Sequence, residues 1–156
     1  VLSYPWDTLL CEASFLAAWL PQPPRCGLRA VAELPPLAVR VAFHVLFWRE
    51  MAGNGLMKFR DNSDSQWADW TYIKYYLEWQ GFPTWFAWPA FHMPLPVHYA
   101  VHCFVWFSQV ACPLLTMVPS ARLRRLCALV VVLEMQGIQA LGNYGVFNVL
   151  TATLAL

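Results

Sequence analysis

Arg40 and His44 stand four residues apart in an apolar run, and Glu50 and Asn54 repeat that spacing with Arg49 beside them. Residues at i and i+4 share a helix face. Arg40, His44, Arg49, Glu50 and Asn54 would therefore form two polar clusters along one helix. A later apolar run carries Glu134, Gln136 and Gln139, and Asn148 opens the next. A lone charge in the middle of a bilayer costs roughly 2.5–3.5 kcal/mol on insertion scales, so such groups should face the interior and pair. Glu134 is expected to pair with Arg49 or Arg40. That pair could lock two helices, line a proton or substrate path, or meet a partner subunit; a structural lock is the simplest. His98 and His102 also lie at i,i+4, a spacing that can hold a metal. No third ligand follows at a recognisable spacing, and no Glu follows the first His as in a zincin. Hydrogen bonding at an interface is the simpler reading.

Other chemistry finds little support. There is no GxSxG, no phosphate-binding glycine loop, no HExxH and no paired-cysteine metal site. Asp64, Asp69 and Glu78 read as a solvated acidic face. The five cysteines, at 11, 26, 103, 112 and 127, are odd in number and include no CxxC. Cys103 and Cys112 would sit about 13 Å apart along a helix, too far to bridge, and the set reads as small packing residues. No cofactor is called for. A net charge of +1 argues against nucleic acid as a partner, which needs a basic face.

The elements that must position these groups read as membrane helices. The chain is 59% hydrophobic and only 12% charged, about half the charge fraction usual in soluble domains. Nine Trp and six Tyr suit membrane–water interfaces. The expected architecture is all-α: a polytopic membrane bundle of about five spans, at 3–20, 37–58, 97–118, 123–141 and 145–156. The first and last are read as cut, because the chain begins without Met and ends inside an apolar run. A 22-residue span such as 37–58 would reach about 33 Å as a helix. Between spans two and three lies a polar, aromatic loop, 59–94. In it Trp70, Ile73, Tyr76 and Leu77 recur at helical spacing, which predicts a short amphipathic helix at the interface. Arg25 and Arg29 in one connection, and Arg122, Arg124 and Arg125 in another, place both basic loops on the cytosolic side. The 59–94 loop then faces the lumen or exterior. Gly53 and Gly55 allow close helix approach. In the terminal "GNYGVFNVLTATLAL", Gly142 and Asn143 suit a helix C-terminus, and Asn148 is expected to bond back to Gln139 or to the exposed carbonyls at the end of that helix.

Five stretches, in order, resemble the lipase maturation factor family, multi-pass membrane proteins of the endoplasmic reticulum with bacterial relatives. They are "WDTLLCEASFLA" (6–17), "REMAGNGLMK" (49–58), "WADWTYIKYYLEWQGFPT" (67–84), "PSARLRRL" (119–126) and the terminal "GNYGVFNVLTATLAL" (142–156). The chain departs from the family's pattern at Tyr76, where a His is usual, across Trp79–Pro83, and at Gln109, where an acid is usual. The resemblance implies a non-catalytic, chaperone-like factor that helps secreted lipases fold and assemble. Its lumenal loop would present Trp67, Asp69, Tyr75, Glu78, Gln80 and Pro83 as exposed pattern residues for a lipase client, and membrane lipid would be the other partner. Localisation would be the endoplasmic reticulum. Two other classes stay open: a structural subunit of a larger membrane complex, such as a respiratory assembly in the mitochondrial or bacterial inner membrane, and an integral membrane enzyme distantly like vitamin K-dependent carboxylases. The enzyme would need a catalytic Lys or His facing the lumen, for which Lys58, Lys74 and His98 are the candidates.

Overall fold

The computed structural model describes residues 5–21, 34–60, 65–142 and 144–155. Expectations resting on Arg25, Cys26, Arg29, Asp61, Asp64 and Asn143 lie outside those residues. The described chain is all-α, and its only β feature is an isolated antiparallel bridge between Pro83 and Gly142. It divides into two units, 1–47 and 48–156.

The first unit holds α1 (Pro5–Ala17) and the first part of α2 (Leu37–Arg60). Pro at the first helical position costs no backbone hydrogen bond, and Asp7 in the first turn suits the positive end of the helix dipole. Leu9 and Ala13, one turn apart, are the buried positions of α1, while Leu10, Phe15 and Trp19 are exposed. In this part of α2, Leu46 and Phe47 are buried, Arg40 is exposed, and the half-buried His44 ring lies 6.5 Å from the Phe47 ring.

The second unit holds the rest of α2, then α3 (Ser65–Ala68), α4 (Tyr72–Trp79), α5 (Ala87–Phe91), α6 (Leu95–Trp106), α7 (Cys112–Leu115), α8 (Ala121–Leu141) and α9 (Val146–Ala155). A π turn, Phe107–Ala111, joins α6 to α7. Its cause is in the sequence. Pro113 has no N–H, and its ring would press on the carbonyl four residues back in a regular helix. Widening the preceding turn, so that the Cys112 N–H reaches the Phe107 carbonyl, relieves that clash. The extra residue turns both Ser108 and Gln109 inward, and Cys112 and Pro113 are buried after them.

The short helix expected in the 59–94 loop is α4. Ile73 and Leu77 form its buried stripe and pack with Ala87, Phe91, Val105 and Leu141, while Lys74, Tyr75 and Glu78 face outward. Burial pushes the Tyr76 phenol above the usual tyrosine range, and the neighbouring Tyr144 hydroxyl adds to the shift. Helix α8 begins at Ser120, whose Oγ accepts from the Leu123 N–H (3.4 Å), an N-cap bond. At its far end Gly142 caps the helix, as expected, with an extended backbone (φ −147°, ψ 160°). Glycine is required there for space, since a Cβ would collide with Gln80 Oε1 and lie 2.9 Å from the Tyr144 ring. The left-handed residue of this turn is Gly145 (φ +59°). Among the described residues, no helix is long and apolar enough to cross a membrane.

Candidate functional site

The π turn brings three elements to one polar site. Gln109, buried at its centre, donates from Nε2 to Glu134 Oε1 on α8 (2.6 Å). Its Oε1 accepts from Lys58 Nζ at the end of α2, and the same amine donates to the Asn54 carbonyl (3.2 Å). Ser108 stands beside the Glu134 carboxylate. The amide of Gln109 thus relays between an amine and a carboxylate, one face serving each. Glu134 is 3% exposed, and an unpaired carboxylate there would be strongly unfavourable. The expected pairing of Glu134 with Arg49 or Arg40 is corrected: Gln109 provides the hydrogen bond and Lys58 the neighbouring cation. Both arginines lie at exposed positions.

Two glycines in "AGNGL" differ in role. A Cβ on Gly53 would meet nothing within 4 Å. A Cβ on Gly55 would meet Val110 Cγ2 at 2.7 Å and the Gln109 backbone carbon and Cβ at 3.1 Å. Gly55 is the point at which α2 comes close enough to the π turn for Lys58 to reach Gln109. Glu50 and Asn54, the expected i,i+4 pair, are joined by Asn54 Nδ2 donating to Glu50 Oε1 (2.9 Å).

Beside the network lies a cluster of aromatic rings. Lys58 Nζ sits 5.0 Å from the centre of the Trp67 ring, within cation–π range. Trp67 stacks on Tyr72 (3.9 Å) and contacts His102 (4.7 Å). His102 is fully buried, stacked on Trp70 (4.9 Å) and edge-on to Trp106 (4.7 Å). Trp70 has φ +61°, a left-handed conformation that costs a bulky residue about 1–2 kcal/mol. Its contacts with His102, Tyr99 and Trp106 hold it there. His98, also buried, places Nε2 at 2.9 Å from the Ala90 carbonyl. Among the described residues, no group of three His, Cys, Asp or Glu side chains could hold a metal ion.

The pattern residues of the loop divide into two sets. Asp69, Tyr75, Glu78 and Pro83 are exposed. Trp67 is 3% exposed, a correction to its reading as a surface residue: its indole is the platform between Lys58 and His102. Gln80 packs over Gly142, and Pro83 bridges to it. The Thr84 N–H donates to the Leu141 carbonyl (3.1 Å) and its hydroxyl to the Ala140 carbonyl. These bonds tie the loop to the last turn of α8, where carbonyls otherwise lack partners. Asn148 Nδ2 donates to Gln139 Oε1 (3.1 Å), which ties the first turn of α9 to α8. Lys74 Nζ lies 5.2 Å from the Phe91 ring centre. Sequence reasoning did not join Lys58, Ser108 and Gln109 to Glu134. The one available signal was Pro113, which disturbs the helical register just after them.

These features define an all-α protein whose helices meet through both apolar and polar side chains and which also leaves large apolar side chains exposed. The chain belongs to the lipase maturation factor family. The model of the family's transmembrane domain, described as "Lipase maturation factor transmembrane domain", matches residues 1–156. Human lipase maturation factor 2 is 31% identical over 165 residues, covering 98% of this chain and 23% of that protein. The Gallus gallus protein of the same name is 32% identical over 157 residues, covering 99% and 22%. The Xenopus tropicalis one is 30% identical over 156 residues, covering 98% and 22%. The chain thus spans under a quarter of the length of these relatives. No solved structure matches it.

Proposed function

We propose that this chain is a membrane-embedded part of a lipase maturation factor, acting without catalysis in the endoplasmic reticulum to help secreted lipases fold and assemble. Family membership supports the class. The observation that carries the membrane reading is the polarity of the helices. The buried set includes His98, His102, Ser108, Gln109, Thr116, Glu134, Asn148 and Thr151. The exposed set includes Leu126, Leu129 and Leu133 on α8 and Val146 and Val149 on α9. In water this arrangement would waste apolar surface and desolvate polar groups. In lipid it satisfies both, because bundle interiors gather the polar residues. In this reading the exposed pattern residues Asp69, Tyr75 and Glu78 are the ones available to a client.

The test is rescue of lipase secretion in cells lacking the factor. Full-length protein carrying Asp69→Ala, Tyr75→Ala and Glu78→Ala together should reach normal levels in the membrane fraction and restore less lipase activity to the medium than wild type. Full rescue by the triple variant would remove these residues from the proposal. Failure of wild type to rescue would remove the lipase role.

A further inference from the structure

From Trp79 through Ala121 the chain contains no Asp, Glu, Lys or Arg. At the start of this stretch five large aromatic side chains face outward: Trp79 (72% exposed), Phe82 (76%), Trp85 (96%), Phe86 (66%) and Trp88 (71%). They flank the attachment made by Pro83 and Thr84 to Ala140, Leu141 and Gly142, so the segment is fixed to the C-terminal end of α8. From Arg122 to Leu141 α8 extends about 28 Å, close to the ~30 Å thickness of a hydrocarbon core. Three arginines, 122, 124 and 125, mark the opposite end. The exposed face of α8 runs through Leu126, Leu129, Leu133, Gly137 and Ala140, with Gln136 as its one polar member past the arginines, exposed rather than turned inward as expected. It therefore leads from the arginine end directly to the aromatic segment.

We propose that Trp79–Trp88 is a lipid anchor, whose aromatic rings enter the headgroup–acyl boundary of the leaflet at the C-terminal end of α8. This rests on the membrane reading above and adds a surface, an occupant and a depth to it. Three observations favour lipid over a protein partner. The segment joins the outward apolar face of α8 without a polar break at Ala140. Tryptophan is the residue type that settles at the membrane interface. A protein interface carries a polar rim, and this stretch offers no charged side chain to build one. An exposed apolar patch of this kind is rare on a protein surrounded by water.

The anchor is tested with spin labels on the full-length protein in phosphatidylcholine–phosphatidylglycerol vesicles. The native cysteines are replaced, and a single label is introduced by Trp85→Cys or, separately, by Leu129→Cys. Collision with oxygen and with a water-soluble nickel chelate reports depth. The expected result is a label at 85 with high oxygen and low nickel accessibility, about 5–10 Å below the phosphates, and a deeper label at 129. A label at 85 open to nickel, with 129 still in lipid, overturns the anchor and leaves the membrane reading standing. Nickel access at both positions overturns both. A label at 85 that is immobile and shielded from both reagents means that protein covers the segment, and it too overturns the anchor.

Discussion

Replacing Gly55 by alanine should destabilise the protein, whereas the same change at Gly53 should stabilise it. Both residues lie inside α2, so each variant gains helix propensity of about 0.8–1 kcal/mol. At Gly53 nothing opposes the gain, because the new Cβ meets nothing within 4 Å. At Gly55 the new Cβ lies 2.7 Å from Val110 Cγ2 and 3.1 Å from the Gln109 backbone carbon. Val110 can rotate, but the Gln109 backbone can retreat only by moving the π turn. That movement also pulls the Gln109 amide from Lys58 and Glu134. Overpacking of this kind costs about 1–3 kcal/mol, and the strained hydrogen bonds add about 1 kcal/mol. The net loss is about 1–3 kcal/mol, or a fall in Tm of roughly 2–10 °C for a domain of this size. Gly53→Ala should raise Tm by about 1–4 °C. The assay is a thermal ramp in detergent with a thiol-reactive dye. Cys112 and Cys127 are buried and react only on unfolding, while Cys11 and Cys103 are exposed and set the baseline. Equal Tm shifts for the two variants, or a Gly55→Ala protein as stable as wild type, would refute the close contact between α2 and the π turn.

Glu134→Leu should cost about 3–5 kcal/mol, since it strands the Gln109 amide and the Lys58 amine. Adding Lys58→Met and Gln109→Leu should recover most of that loss in the same thermal assay, and no recovery would show that the three residues do not act together. Asn148→Leu should cost about 1–2 kcal/mol by leaving the Gln139 carbonyl oxygen unpaired; a double-mutant cycle with Gln139→Leu should give a coupling near 1 kcal/mol, and additive effects would dismiss the bond. Thr84→Val should keep the backbone bond to Leu141 and lose the hydroxyl bond to Ala140, which should cost about 1 kcal/mol and speed hydrogen exchange across residues 80–88. Unchanged exchange there would place the anchoring elsewhere.

The helical class, the short helix at 72–79 and the Gln139–Asn148 link follow from local pattern, so sequence alone could reach them. Ile73 and Leu77 are one turn apart, and Asn148 follows α8 after a turn too short to take it away from Gln139. The partner of Glu134 was not legible. Its choice among Arg40, Arg49 and Lys58 depends on helix rotation, and a π turn shifts rotation by a full residue without altering the apolar pattern. The burial of Trp67 was hidden for a related reason. It lies in a polar loop, and only the return of α6 beneath that loop supplies the His102 and Trp106 rings that cover it. Gly142 was read as a helix stop, and α8 does end there, but the lack of room for any side chain at that position was not legible. What fills that space is the Gln80 side chain, which comes from far earlier in the sequence.

The scarcity of long apolar helices and the membrane reading have one physical origin. Helix α8 carries Glu134 and Gln139 on the side that meets Gln109 and Asn148, and Leu126, Leu129 and Leu133 at exposed positions. A mean over all its residues counts the polar side chains as if they faced the surroundings. Each of these two is bonded inside the unit, so its cost of leaving water is offset by its partner rather than by lipid. The same holds for the helix run from Leu95 to Leu115, which is broken in three by the π turn that turns Ser108 and Gln109 inward. On the membrane reading proposed above, a helix that uses its inner face for polar joints looks short and half-polar when averaged. The quantity that distinguishes it is the separation of the two faces: on α8 and α9, Glu134, Gln139 and Asn148 are bonded inside the unit, while Leu126, Leu129, Leu133, Val146 and Val149 are exposed.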